Sequence, residues 1–228
     1  MIANPIAGVA EVQQKILALL KQHGESTMAE IADHLDVSYE AVRQQMKQLV
    51  AMRLVERRKG PNPSGVGRPL RHYSLSPSGD HLFPKNYDDL AVSLIDAIGG
   101  EMGSDGLRRV LARLADAQVA QWEPQLAGKN LEERLEVLED IYIEDDPFTE
   151  VNTVEGQLQL VERNCPYLNV ASRRPALCSL TVSVLSRLLD HRVTRVRRFQ
   201  DGDGRCVFRV HLDRPLESKE FQFESETE

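Results

Sequence analysis

The stretch TMAEIADHLDVSYEAVRQQMKQLVAM, residues 27–52, decides how the first part of the chain folds. Thr27-Met28-Ala29-Glu30 has the form of a capping box, in which a hydroxyl and a carboxylate three positions on satisfy each other's free backbone amides. It opens a short helix, Met28 to Leu35, with Ile31, Ala32 and Leu35 turned inward. Asp36-Val37 makes a tight turn and Ser38 is the next N-cap. The helix that follows, Tyr39 to Met52, turns Val42, Met46, Leu49 and Val50 to the same interior. Upstream, residues 11–22 place Val12, Ile16, Leu19 and Leu20 on one helical face and end at His23-Gly24. Two helices joined by so tight a turn, behind a supporting helix, form a helix-turn-helix unit.

Working outward, Leu54 to Arg58 and Arg71 to Leu75 alternate as two strands around a Gly/Pro-rich tip, Gly60 to Pro69, that cannot be helical. This adds a wing. Ser76-Pro77 starts a new helix, with serine as N-cap and proline at the first helical position. Helices are expected over Asp88–Ile98, Ser104–Trp122 and Leu131–Tyr142, broken at Gly99-Gly100 and at Gly128. After Pro147 the pattern changes. Phe148–Val154 and Leu158–Val161 read as strands, Leu177–Leu189 as a helix, and Val193–Phe199 with Cys206–Leu212 as a hairpin over Asp201-Gly202-Asp203-Gly204. The expected fold is mainly α with a small α+β C-terminal domain. Its parts are a winged helix-turn-helix (1–76), a helical linker and dimerisation region (77–142), an α+β sensor domain (143–216) and a charged, disordered tail (217–228).

The 228 residues carry 41% hydrophobic and 28% charged side chains, the balance of a water-soluble globular protein of about two small domains. No apolar run approaches the roughly 20 residues that cross a bilayer, and the first residues lack the basic segment of a signal peptide. Three well-separated cysteines then point to reduced thiols or metal ligands in the cytoplasm rather than a disulfide framework. A net charge of −7 conceals a gradient. Residues 53–73 hold six basic side chains against Glu56 alone, a local +5, whereas residues 129–146 hold eight acids against two bases, a local −6. Such a basic stripe attracts a polyanion whatever the overall sign.

On the second helix of the motif, Ser38, Tyr39, Arg43, Gln44 and Lys47 fall on or beside the outward face. Arg43 and Gln44 are the residue types that make paired hydrogen bonds to guanine and adenine edges in the major groove. Lys47, Arg57, Arg58, Lys59, Arg68 and Arg71 suit phosphates, and Arg68 at the wing tip suits a minor groove. A single winged helix reads one half-site, so a homodimer on a double-stranded operator is expected, joined through Leu107, Val110, Leu111, Leu114 and Val119. Cys165, Cys178 and Cys206 have no Cys-x-x-Cys pairing and could be simple core thiols. All three fall at the ends of expected elements, however, where ligands can converge, and Cys178 opens a helix whose dipole favours a thiolate.

Gly67-Arg68-Pro69, Tyr73-Ser74-Leu75-Ser76 and Leu82-Phe83-Pro84-Lys85-Asn86-Tyr87 lie in and beyond the wing. Asn164-Cys165-Pro166-Tyr167, Cys178 and Gly204-Arg205-Cys206 follow in order. In these motifs the chain resembles the SufR-type repressors of iron–sulfur cluster assembly genes, within the broader DeoR- and ArsR-like group of winged-helix regulators. The resemblance implies a two-iron or four-iron cluster, held by the C-terminal cysteines of a homodimer, that controls operator binding. Members with four cysteines carry one between the second and the last, which is missing here. His191 falls near that place and could supply an imidazole ligand, or be a surface histidine at a helix end. A carboxylate or a small molecule as fourth ligand, or none, stays open as well. A zinc- or thiol-based redox sensor, or a winged helix fused to a small-molecule-binding domain, are the alternatives. No nucleophile motif, phosphate-binding loop or His-Glu metal signature supports an enzyme, and the acids Glu144-Asp145-Asp146 read as a solvated loop.

Overall fold

A computed structural model describes residues 9–60, 70–142 and 146–224. The chain divides into two compact units, Met1–Lys85 and Asn86–Glu228, and each is considered by itself.

In the first unit the elements run α1 (Glu11–His23), β1 (Ser26–Thr27), α2 (Met28–Leu35), α3 (Tyr39–Ala51), β2 (Val55–Gly60), β3 (Leu70–Leu75) and α4 (Pro77–His81). The caps are those that the sequence specifies. Thr27 Oγ1 accepts from the Glu30 amide at 3.3 Å while the Thr27 amide donates to Glu30 Oε2 at 2.7 Å. Ser38 Oγ accepts from the Ala41 amide, and Asp36, left-handed at φ 52°, ends α2. Ile16, Leu17, Leu20, Ile31, Val42, Met46, Leu49 and Tyr73 form the core. Val12 and Val50 lie outside it, at the edges of their apolar stripes, and Leu17 takes the interior place beside Ile16.

The strands pair in the order β1-β3-β2, all antiparallel, with the two-residue β1 too short to be legible as a strand beforehand. This unit runs past the expected boundary at residue 76 because α4 packs back onto it. Ser76 Oγ donates to the Arg53 carbonyl and accepts from the Gly79 amide. A side chain at Gly79 would collide with the Leu54 carbonyl, its Cβ falling 2.0 Å away. Lys21 of α1 and Lys85 both bond to the Asp80 carboxylate.

The second unit holds α5 (Tyr87–Leu126), α6 (Leu131–Tyr142), β4 (Glu150–Val154), β5 (Gln157–Glu162), α7 (Leu168–Ala171), α8 (Cys178–Leu189), β6 (His191–Arg197) and β7 (Cys206–Pro215). The four strands form an antiparallel sheet, order β4-β5-β7-β6. One core joins Leu111, Ala115 and Val119 of α5, Leu138 of α6, Leu185 and Leu188 of α8, and Leu160, Phe208 and Val210 of the sheet. The helical middle and the α+β part are therefore a single packed body.

Four expectations are corrected here. The break expected at Gly99-Gly100 lies instead at Gly103, φ 67° and ψ −173°, where two helical segments of α5 meet across a kink, because a glycine pair weakens a helix without ending it. Leu111 and Val119, assigned to a dimer surface, are buried inside their own subunit against α8 and the sheet. Segment 217–224 of the expected disordered tail packs instead, burying Phe221 in the core and Glu224 beside α8. Asp146 is no solvated loop residue: it is buried and accepts from the amides of Phe148, Arg163 and Asn164. Glu144 and Asp145 lie outside the described residues.

The Asp80 contacts give a pH dependence. Hydrogen bonds from Lys21 and Lys85 hold its carboxyl down to about 2. A carboxyl depressed in the folded state adds stability above the ordinary carboxylate range, and that stability is lost as pH falls through the folded value. Asp80→Asn should therefore lower the melting temperature of the first unit at neutral pH. The gap from wild type should close between about pH 4 and pH 2. A gap that does not change with pH would show that the ion pairs contribute nothing.

Candidate functional site

Two sets of side chains stand out, one in each unit. In the first, Ser38, Tyr39, Arg43, Gln44 and Lys47 are all exposed on and before α3, and Arg57, Arg58, Lys59 and Arg71 are exposed on the wing strands. Arg68 lies outside the described residues, as does the rest of the wing tip. Ser38 spends its acceptor on the α3 cap and keeps a hydroxyl hydrogen to donate. Arg43 is held by Glu40 in a fork, Nε to Oε2 at 2.8 Å and Nη2 to Oε1 at 2.6 Å. That pair pre-aims the guanidinium along α3 and must be shared or broken when a base edge is met. Across the wing, Lys59 stands directly opposite Arg71. Like charges facing each other in a ladder are unfavourable in water and are relieved by an anion between them, so this pair suits a phosphate.

In the second unit the three cysteines, distant in sequence, line one narrow pocket together with Tyr167, Arg195 and Gln200, with a cavity volume of only about 10 Å³. Each arrives from a different element. Cys165 follows β5 on a loop that Asp146 pins through the Arg163 and Asn164 amides, at 2.5 and 2.9 Å. Cys178 is the first residue of α8, entered through a 3₁₀ turn over Pro175–Leu177. Cys206 is the first residue of β7, paired across the ladder with Glu162. All three are free thiols, Cys178 and Cys206 buried and Cys165 partly so.

Polar groups surround the sulfurs. Arg195 Nη1 donates to Cys206 Sγ at 2.9 Å and Gln200 Nε2 donates to Cys178 Sγ at 3.3 Å. Burial pushes the Cys165 thiol up to about 11 and also raises Cys178, so desolvation outweighs the helix-terminus effect expected at Cys178. Both shifts favour the neutral thiol at Cys165 and Cys178, and a metal bound there would have to displace their protons. Burial likewise pushes the Glu162 carboxyl up to about 7, against the opposing charge of Arg195.

Three thiols on one pocket are the donor type that a thiolate-bound metal or cluster would use. A single tetrahedral zinc with Zn–S bonds of about 2.3 Å needs its sulfurs within roughly 4 Å of each other. Among the described residues no three His, Cys, Asp or Glu side chains are grouped closely enough to hold one ion. A cluster would spread its thiolates over more than one iron and so tolerate wider spacing, and N–H donors at the sulfurs are what such clusters use.

His191 is corrected. It pairs with Pro215 at the far end of the hairpin, nine residues along β7 from Cys206, a distance of roughly 30 Å in a strand. Its Nδ1 lies 2.9 Å from the Leu189 carbonyl, closing the end of α8. The carboxylate that the fold brings towards the cysteines is Glu162. Sequence reasoning missed Glu162, Arg195 and Gln200. Glu162 continues the inward alternation of Leu158 and Leu160, a pattern that marks it as buried beforehand.

Residues 10–56 match the family described as winged helix-turn-helix DNA-binding, so the first unit is a DNA-binding winged helix. No curated protein matches the chain. Among solved structures it is similar to the adhesin competence repressor of Streptococcus pyogenes, at 18% identity over 53% of this chain and 84% of that one, TM-score 0.30. A MarR family regulator from Neisseria meningitidis shows 21% identity over 52% of this chain and 80% of that one, TM-score 0.29. A zinc-responsive MarR family member from Lactococcus lactis shows 17% identity over 54% and 84%, TM-score 0.31. Among the described residues no helix is long and apolar enough to cross a membrane.

The two kinds of contact on the winged helix should separate experimentally. On an operator selected from random-sequence DNA, Arg43→Ala should cost roughly 1–3 kcal/mol and relax discrimination at one base position. Arg58→Ala should weaken every sequence alike and reduce the salt slope by about one. Titrations in which neither substitution changes affinity would refute the assignment of α3 and the wing to DNA.

Proposed function

We propose that this chain is a transcriptional regulator, acting as a repressor, whose operator binding is governed by an iron–sulfur cluster held by Cys165, Cys178 and Cys206. The observation that carries the reading is the convergence of those three thiols, from three separate elements, on one pocket with N–H donors at two of the sulfurs. The resemblance to SufR-type repressors adds the expected targets, genes of iron–sulfur cluster assembly. A bound cluster would supply iron–thiolate bonds that are sensitive to iron supply and to oxidants. Everything else is done by the chain. Cys165, Cys178 and Cys206 tie the end of β5, the start of α8 and the start of β7 together. Glu162, paired across the ladder with Cys206, would be a candidate carboxyl for a fourth ligand. The α8 helix packs on α5, with Arg187 paired to Asp116 at 2.9 Å, so a shift at the thiols is felt along α5.

The partner at the operator is a second copy, and the surface for it is the first half of α5. Tyr87, Leu90, Leu94 and Met102 are 65%, 59%, 54% and 49% exposed, and they form one helical stripe. The opposite face of the same helix is already engaged, with Asp88 bonded to Asn169, Asp89 to Arg173 and Asp96 to Arg174. A stripe of large apolar side chains at helical spacing pairs well with its own symmetry mate, and a two-fold operator demands such a mate. Only about 1.4 kcal/mol between cluster-bound and cluster-free dimers changes operator affinity tenfold.

Protein purified without oxygen should be brown and contain iron and sulfide, and serine at each cysteine in turn should remove most of both. Three serine variants that keep full iron, or a colourless protein carrying zinc, would reject the cluster. Separately, Leu94→Asp should convert a sedimenting dimer to a monomer and abolish tight operator binding. A variant that stays dimeric would move the interface elsewhere.

A further inference from the structure

Arg195 lies inside the second unit with a side chain only 3% exposed, and all three of its guanidinium nitrogens are engaged. Nη1 donates to Cys206 Sγ at 2.9 Å, Nη2 to the Cys178 carbonyl at 2.8 Å and Nε to Glu224 Oε1 at 3.1 Å. Its flat face lies over the Phe208 ring, 4.5 Å from the centroid. A charge so deeply placed is tolerated only with an anion beside it. While the thiols are protonated, that anion is Glu224.

Glu224 belongs to the C-terminal strap, residues 216–224, and is fixed from three sides. Its carboxylate also accepts from Arg198 Nη2 at 2.8 Å, and its amide donates to Ser179 Oγ at 3.0 Å, one residue beyond Cys178. Phe221 anchors the strap in the core nearby. The strap thus reaches the thiol pocket through a single guanidinium that touches both ends.

We propose that Arg195 is a positioning residue of the thiol pocket, held in place by Glu224, so that the C-terminal strap governs access to the Cys206 sulfur. Its biological meaning rests on the pocket being the sensing site. Its physics does not, and the test below uses metal-free protein, so the two readings fail separately. Removing the carboxylate charge takes away the anion hydrogen-bonded to the buried guanidinium and leaves only Glu162, whose own burial disfavours its charge. The guanidinium then leaves for solvent, taking its hydrogen bonds from Cys206 and from the Cys178 carbonyl.

The experiment is alkylation of the full-length, metal-free protein with iodoacetamide, each cysteine followed by mass spectrometry. Glu224→Gln should speed modification of Cys206 by about tenfold, the factor that corresponds to roughly 1.4 kcal/mol in an opening equilibrium. Arg195→Lys, which keeps the charge but not the fork, should do the same, and Glu224→Asp should recover part of the protection. Glu220→Gln, on an exposed side chain of the same strap, should change nothing. Partly exposed Cys165 reports general loosening and should keep its wild-type rate. Cys206 rates within about twofold of wild type in both variants would overturn the proposal. So would equal acceleration of Cys165 and Cys206, because the pair would then support only the fold. If Glu224→Gln loses cooperative melting, Arg195→Lys decides by the same criteria.

Discussion

The second unit brings three sulfur atoms from three elements to one pocket, with N–H donors at two of them. Each neighbouring feature contributes to that arrangement. Asp146 gathers two consecutive amides and sets the loop that delivers Cys165. The 3₁₀ turn over Pro175–Leu177 aims the first residue of α8 into the same space. The β6–β7 hairpin returns the chain so that Cys206 stands next to Arg195, whose charge is balanced by Glu224. Lose any one and a buried amide, guanidinium or carboxyl is stranded, at a cost of about 1–3 kcal/mol or more.

The winged helix was legible in the sequence because its signals are local. Thr27, Ser38 and Ser76 each cap the helix they precede through bonds spanning three residues, and alternation over Val55–Arg58 is enough to mark a strand. In the second unit the decisive relations are between distant residues. Leu111 and Val119 carry the same periodicity whether they face a symmetry mate or their own α8, and only the tertiary packing distinguishes the two. The dimer surface is accordingly proposed at residues 87–102 and not at residues 107–119.

His191 illustrates the same limit from another side. Its position between the second and third cysteines suggested a ligand, but strand register decides where a residue lies, and register carries His191 to the wrong end of the hairpin. Glu162, closer to the cysteines in the fold, looks in sequence like any polar residue ending a strand. The C-terminal strap was hidden by composition. A run rich in Glu, Ser and Lys reads as solvated chain, yet Phe221 and Glu224 within it supply one apolar anchor and one buried anion. Composition averages over a segment, whereas two residues suffice to fasten it.

In this account the DNA-binding helix is constant and the thiol pocket supplies the signal. The exposed fork of Arg43 and Glu40 and the facing Lys59 and Arg71 belong to the first unit, and the cysteines to the second. The most direct test is the affinity of one anaerobic preparation for its selected operator, measured before and after a chelator strips the iron. Loss of the iron should weaken binding by at least about tenfold while the protein remains folded. Equal affinity of the iron-loaded and stripped protein would contradict control of this winged helix by its cysteines.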